Sequence, residues 1–408
     1  MLDQSDPDVP RTLLITLTGK DRPGVTSLVF DTLAQFGVEV LDIEQIVLRR
    51  RLILGLLVAS PRDWKPLRRA MEQVATDLAM TLEFDRGTGD NRSRPEGRSH
   101  VTVLGTPLKS SAVAAIAGRI ADTGANIDRI ERMARYPITA IDLHVSGYDP
   151  EKLRTILARE AAIRGIDIAV QPAGLLRRGT RLIVMDVDST LIQGEVIEML
   201  AAHAGCEAEV ARITEQAMRG EIDFAASLRK RVSLLAGLEA TALDRVYDDL
   251  VLAPGARTTV RTLKRLGYRF AIVSGGFSQL TDRLAADLGI DYSAANELEI
   301  VDGRLTGTVL GEIVDRAGKA DALRRFAEES GLPVSATIAI GDGANDLDML
   351  NAAGLGIAFN AKPVVQEAAH AAVNVPYMDA VMYLLGISRE EIVAADAAVG
   401  ITTPAPPV

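Results

Sequence analysis

The chain has 408 residues, long enough for two or three domains rather than one core. Its 48% hydrophobic and 25% charged content is that of a globular protein, and a net charge of −10 argues against nucleic-acid or anionic-membrane partners. A single cysteine, Cys206, excludes an intramolecular disulfide and, as a small core filler, fits a reducing cytoplasm.

The first residues, Met1-Leu2-Asp3-Gln4-Ser5-Asp6, are acidic and polar and do not read as a signal peptide. Apolar stretches such as Leu52 to Ala59 are too short to cross a bilayer, so a cytoplasmic protein is expected. From Arg11 to about Asp85 the pattern predicts strand, helix, strand, strand, helix, strand. Leu13–Leu17 is the first strand, and Val25–Phe36 a helix closed by Gly37. Val38–Leu48 and Leu52–Ala59 form a hairpin around Arg49-Arg50-Arg51, a solvated tip. Pro61–Leu78 and Met80–Phe84 complete the unit. Asp85 to Ser99, rich in Gly, Arg and Asp, reads as a linker. The order then repeats: Val101–Leu104, Ser110–Asp122 ending at Gly124, a hairpin of Asn126–Ala134 and Ile138–Val145, Pro150–Arg164, and Ile166–Val170. Two successive βαββαβ units are an internal duplication of the ferredoxin-like split-βαβ type. Neither holds a convincing catalytic cluster.

After a basic linker, Leu175 to Thr180, Leu182-Ile183-Val184-Met185 is an unbroken apolar run, the mark of a strand buried on both faces of a parallel sheet. Asp186 and Asp188 follow; two residues apart, both can face one crevice at the sheet edge. Ser189 or Thr190 is placed to cap a following helix that runs through Glu195 and Glu198. Two acids beside an anion-friendly helix end call for a hard cation, and Mg²⁺ fits carboxylate oxygen. Taken alone, the stretch reads equally as an Asx turn with capping chemistry. From about Leu200 to Leu250 no strand signal occurs, which predicts an all-helical insertion able to serve as a lid. The α/β alternation then resumes with Phe270–Val273, ending in Ser274-Gly275-Gly276. A hairpin at Glu297–Thr308, a helix at Lys319–Glu329 and strands at Thr337–Ile340, Leu355–Phe359 and Ala372–Val375 follow. Beyond Ala395 a flexible tail is expected. The four histidines, His100, His144, His203 and His370, are scattered without zinc-ligand spacing.

Each remaining polar cluster lies where a strand stops, which is where open α/β sheets bind ligands. Asp186-Val187-Asp188-Ser189-Thr190, Ser274-Gly275, Lys319 and Gly341-Asp342-Gly343-Ala344-Asn345-Asp346, in this order, resemble the haloacid-dehalogenase-like phosphatases at all four motifs. The resemblance implies a Rossmann-like core, Mg²⁺ and an aspartyl-phosphate intermediate. It implies Asp186 as nucleophile and Asp188 as general acid and base, with the metal on Asp186, the Asp188 carbonyl and Asp342. Lys319, Ser274 and the Gly275 N–H would then bind phosphoryl oxygens, Asn345 would orient substrate, and Asp346 would support the metal site from outside.

In the insertion, Phe224, Leu228 and Arg231 share one helix face at i, i+4 and i+7. Arg231 either snorkels or awaits a carboxylate, and Glu195 is suited to an ammonium group. Glu195, Met218, Phe224 and Arg231 resemble the cap and pocket positions of phosphoserine phosphatases, implying hydrolysis of O-phospho-L-serine as the last step of serine biosynthesis. The alternatives are a phosphatase or phosphotransferase for another small phosphorylated metabolite, and an amino-acid sensor on the same scaffold. The intact Asp186/Asp188 pair argues against the sensor.

The first duplicated unit resembles ACT domains through Thr18-Gly19-Lys20-Asp21-Arg22-Pro23-Gly24-Val25. The second resembles them at Gly105 and Gly124-Ala125-Asn126-Ile127 but has Thr106-Pro107-Leu108-Lys109 in place of Asp-Arg-Pro-Gly. The resemblance implies an effector such as L-serine near Gly19, Asp21, Gly105 and Asn126, and pairing into a homodimer; dimerisation modules without ligand are the alternative. The expected architecture is α/β: ACT-like units at 1–86 and 100–173 around a linker at 87–99, a catalytic domain at 181–395 with its cap at about 200–250, and a tail at 396–408.

Overall fold

The structure, a computed structural model, describes residues 11–88, 97–174, 177, 179, 181–219 and 221–404, without the side chain at 218. The chain divides into two units, Met1–Ser93 and Arg94–Val408.

The first unit runs β1 (Arg11–Lys20), α1 (Val25–Ala34), β2 (Val40–Leu48), β3 (Arg51–Ala59), α2 (Lys65–Leu78) and β4 (Thr81–Thr88), with sheet order β2-β3-β1-β4. Period-two alternation sends Leu13, Ile15 and Leu17 of β1 and Leu52, Leu54, Leu56 and Val58 of β3 into the core. Val29 and Leu33 of α1 and Leu67 and Met71 of α2 cover them. The other end of the sheet is different: edge strand β2 leaves Ile43, Ile46, Val47 and Leu48 exposed.

The second unit begins by repeating that order: β5 (Ser99–Gly105), α3 (Ser110–Asp122), β6 (Asn126–Ala134), β7 (Thr139–Ser146), α4 (Pro150–Arg164) and β8 (Asp167–Pro172). The strand order β8-β5-β7-β6 matches β4-β1-β3-β2, as expected of a duplication. The α/β part follows with β9 (Leu182–Met185), α5 (Val196–Ala204), α6 (Glu207–Met218), α7 (Phe224–Ser233), α8 (Thr241–Asp248) and α9 (Ala256–Arg265). Next come β10 (Arg269–Phe277), α10 (Ser278–Leu288), β11 (Tyr292–Val301), β12 (Arg304–Leu310) and α11 (Arg316–Glu329). The chain closes with β13 (Thr337–Gly341), α12 (Leu347–Ala352), β14 (Leu355–Phe359), α13 (Pro363–Ala368), β15 (Ala371–Val373), α14 (Ala380–Leu384) and α15 (Arg389–Ala397).

The parallel strands lie in the order β11-β10-β9-β13-β14-β15, so chain direction across the sheet reverses between β9 and β13. That is the switch point of a doubly wound sheet, where a crevice opens beyond the strand ends. Alternate residues of β9 serve opposite layers, which is why the run must be apolar throughout. Ile183 and Met185 belong to the core with α5, α9 and α10, whereas Leu182 and Val184 pack with α11 and α12.

One expectation, that of a flexible tail, needs correction, and one join was not foreseen. The sheet of the second ACT-like unit is not separate from the one that follows it. Its edge strand β8 pairs antiparallel with β15 through Ala169 and Ala371, giving one eleven-stranded sheet. Asp167 secures the join by accepting from the backbone and side-chain N–H groups of Asn374, both at 2.7 Å. Nor is the chain after Ala395 a loose tail as far as residue 404. Asp396 is fully buried and pairs with Arg261 and Arg265, while Thr403 donates to it at 2.9 Å. Local composition could not reveal these long-range partners. Residues 1–10, 89–96 and 405–408, covering most of the expected linker and the chain ends, lie outside the described residues.

Candidate active site

β9 delivers Asp186 to the switch point, and β13 delivers Gly341 and Asp342 beside it. The chain after Asp186 does not enter a helix at once, contrary to expectation. Val187–Leu191 forms one wide turn, with Ser189 in the left-handed region at φ 57°, and the next helix starts only at Val196. Neither Ser189 nor Thr190 caps it. Asp188 does, its Oδ1 accepting from the Val196 N–H at 2.8 Å. Thr190 instead donates to Asp342 Oδ1 at 2.8 Å, tying the β9 turn to the β13 turn.

Lys319, in the first turn of α11, is 1% exposed and lies 2.7 Å from both Asp186 Oδ1 and Asp346 Oδ1. A buried ammonium persists only with such partners, and these two carboxylates hold its pKa above the usual lysine range despite the opposing effect of burial. The other oxygen of Asp346 accepts from Gly343 N–H at 2.9 Å. Asp186, Asp342 and Asp346 place carboxylate oxygens within 4.8 Å of one another. Burial, reinforced by the charges of Asp346 and Asp188 and opposed by Lys319, raises the Asp186 pKa well above the ordinary value. Burial also raises those of Asp188 and Asp342. Four converging carboxylates against one lysine form an electrostatic well for a cation, and an all-oxygen donor set suits Mg²⁺-like ions.

On β10, Ser274 donates to Asp188 Oδ2 at 3.2 Å and accepts from Gly276 N–H at 2.8 Å. A side chain at Gly276 would crowd this arrangement: its Cβ would meet both Asp188 Oδ2 and Ser274 Oγ at 3.0 Å. Asn296 sits midway along β11, where pairing with β10 gives way to pairing with β12, and no motif marks it. It donates to the Gly275 carbonyl at 2.8 Å and accepts from Val314 N–H at 2.8 Å, fixing the Ser274-Gly275-Gly276 turn.

Above the carboxylates α6 and α7 roof a cavity of about 560 Å³. Asp186, Asp188, Glu195, Phe224, Arg231, Gly275, Lys319, Asp342 and Asn345, all expected in the site, line it. Met218 ends α6, but its side chain lies outside the described residues. Leu228 and Arg231 are buried on the same face of α7, as the helical spacing requires. Arg231 is 8% exposed, and among the described residues its guanidinium makes a long 3.4 Å hydrogen bond to Thr214. Its Nε has no partner among the described residues. Burial lowers the Arg231 pKa, and it raises that of Glu195, where Asp188 and Glu198 add repulsion. Thr214, Asn360 and Lys362 also line the cavity and were missed. Asn360 follows β14 directly, so the strand-end rule applied to that strand would have found it.

Of the expected effector residues, Gly19 and Asp21 belong to the first unit and Gly105 and Asn126 to the second. A Cβ at Gly19 would lie 2.5 Å from the Met80 side chain, and one at Gly105 would lie 3.0 Å from Leu108. Core packing thus disfavours a side chain at Gly19 and crowds one at Gly105. Asn126 donates to Asp128 at 2.7 Å.

Comparison with known proteins adds three findings. Residues 183–351 match the haloacid dehalogenase-like hydrolases, and residues 11–85 and 98–171 each match the ACT domain. The phosphoserine phosphatase of Streptomyces coelicolor is 63% identical over 391 residues, covering 95% of both chains. That of Mycobacterium tuberculosis is 52% identical over 392 residues, covering 95% of this chain and 96% of its own. Among solved structures, a haloacid dehalogenase family hydrolase of Salmonella enterica serovar Typhi superposes with a TM-score of 0.61 at 30% identity, covering 70% of this chain and 98% of the other.

Proposed function

The chain belongs to the phosphoserine phosphatases of the haloacid dehalogenase-like superfamily, with two ACT domains ahead of the catalytic one, and from that premise we propose how its own residues act on O-phospho-L-serine. Asp186 attacks phosphorus, a P–O bond to its carboxylate forms, and the P–O bond to serine breaks. Asp188 gives its proton to the departing serine oxygen, a step favoured by burial, which raises its pKa. It then takes a proton from the water that attacks the aspartyl phosphate, and Asp186 returns as a carboxylate with release of phosphate. Lys319, Ser274 and the Gly275 N–H bind the phosphoryl oxygens, with Asp346 holding Lys319 in place. Asp186, Asp342 and the Asp188 carbonyl would hold Mg²⁺, which when bound neutralises the nucleophile and the phosphate.

The observation that carries the substrate is Arg231: a buried side chain whose Nε has no hydrogen-bond partner among the described residues, in the cavity that also holds the nucleophile. The carboxylate of phosphoserine supplies that partner, and Glu195 faces its ammonium. Phosphate release from phosphoserine and from a simple alkyl phosphate, each with Mg²⁺ or chelator, tests both points. Arg231→Ala is expected to lower kcat/KM for phosphoserine by the equivalent of roughly 2–5 kcal/mol and to spare the alkyl phosphate. Equal loss for both substrates would make Arg231 structural, and turnover undiminished in chelator would remove the metal.

For the ACT domains the reading is an amino-acid effector such as L-serine and pairing of two copies. The exposed apolar edge strand β2 supports the pairing, since such an edge invites a partner. Because Gly105 packs on Leu108, Asn126→Ala probes ligand binding better than a bulky residue at Gly105. Serine titrated into the full chain by calorimetry should show a site beyond the catalytic one, lost in Asn126→Ala. Binding at the catalytic site alone would leave these units as dimerisation modules. A cytoplasmic location belongs to the same reading. Among the described residues no helix is long and apolar enough to cross a membrane.

A further inference from the structure

The duplicated region holds a second cluster of ligating side chains, remote in sequence from the phosphatase motifs. Antiparallel pairing sets His100 of β5 directly opposite His144 of β7 and Thr102 opposite Asp142. On the next strand, β6, Glu131 lies opposite Asp142. Residues two apart on a strand share a face, so His100, Asp142 and His144 converge on one side of the sheet, with Glu131 beside them and paired to Arg129 at 2.9 Å. They open into a cavity of about 610 Å³ whose far wall includes Thr262 of α9 and Ile392 of α15.

The distances suit a metal. His100 Nδ1 lies 2.8 Å from Asp142 Oδ2, while His144 Nε2 lies 3.7 Å from the same oxygen and 3.9 Å from Glu131 Oε2. In a tetrahedral zinc site, bonds of roughly 2.0–2.1 Å put ligand atoms roughly 3.3 Å apart. These separations bracket that value. Thr102 Oγ donates to Asp142 Oδ1 at 3.1 Å and leaves Oδ2 directed at the imidazoles, the outer support that ligating carboxylates use.

The group now facing these atoms is Arg177, from the segment between the second ACT domain and β9. Its Nη1 lies 3.3 Å from Asp142 Oδ2 and 3.0 Å from His100 Nδ1. One ring nitrogen cannot satisfy both neighbours. Protonated, Nδ1 faces the guanidinium N–H; unprotonated, it faces the carboxylate oxygen. An ion bonded to Nδ1 and Oδ2 removes this conflict.

We propose that His100, Asp142 and His144, whose ligand atoms lie within 4.8 Å of one another, form a second metal site with one position left to water, for a borderline-soft divalent ion such as Zn²⁺, in which the ion takes the place of the Arg177 guanidinium. Imidazole selects such ions over Mg²⁺, whereas the carboxylate cluster around Asp186 is all oxygen, so the two sites are chemically distinct.

Calorimetric titration of Zn²⁺ into the full chain, with saturating Mg²⁺ protecting the catalytic carboxylates, tests this. One Zn²⁺ per chain is expected, with Co²⁺ in its place showing a tetrahedral absorption spectrum. The double variant His100→Ala/His144→Ala should bind at least about tenfold more weakly. Arg177→Ala should bind more tightly, since it removes a competing cation. Phosphoserine turnover with Mg²⁺ reports folding, and His144→Gln replaces the double variant should that one fail to fold. Affinity unchanged in the histidine variants, or lost instead in Asp342→Asn, would overturn the site. Binding by Arg177→Ala but not by the unaltered chain would overturn it too, because the arginine would then hold its place. Binding by neither would leave the cluster an ion-pair network.

Discussion

Asp186→Asn is expected to abolish phosphoserine turnover, a loss on the order of 10⁴-fold or more, because an amide cannot attack phosphorus. The fold should survive. Asp186 is buried among like charges, and burial together with Asp346 already disfavours its ionised form. Removing that charge relieves repulsion, and Lys319 keeps Asp346 at 2.7 Å as its partner. Acid quenching after mixing with labelled phosphoserine checks the chemistry: labelled protein should accumulate in the unaltered chain and vanish in the variant, at an unchanged or higher melting temperature. Labelling of undiminished intensity would place the nucleophile elsewhere.

Asp188→Asn is expected to lower turnover of phosphoserine by roughly 10²–10⁴-fold, the range for loss of a positioned general acid and base. The substitution is structurally mild. An amide oxygen can still accept from Val196 N–H, now 2.8 Å from Oδ1, and the amide nitrogen can donate to Ser274, now 3.2 Å from Oδ2. What disappears is the proton. An aryl phosphate, whose leaving group needs little protonation, should therefore still form phosphoenzyme in a rapid first turnover and then stall, since water activation also fails. Equal damage to the first step with both substrates would show that Asp188 positions rather than transfers protons.

Other parts of the structure depart from local sequence signals in an instructive way. The turn after Asp186 looked like a capped helix start because Ser189 and Thr190 are good caps. The chain instead spends Val187–Leu191 in a wide turn that brings Thr190 to Asp342 and leaves the capping of α5 to Asp188. Asn296 and Lys362 carry no motif of their own; only the folded sheet brings them to the site.

From the sequence by itself, the duplicated βαββαβ order, the buried strand at Leu182–Met185, the helical cap, three polar clusters toward strand ends and the lysine at a helix start were all legible. Each depends on periodicity or composition within one segment, and in a doubly wound sheet the strand ends share one edge. Only the tertiary structure decided that β8 would join β15, that Asp396 would be buried against Arg261 and Arg265, and that His100 and His144 would face each other. Those contacts depend on register and on which sheet edge finds a partner, and both are settled by what the whole chain can bury together.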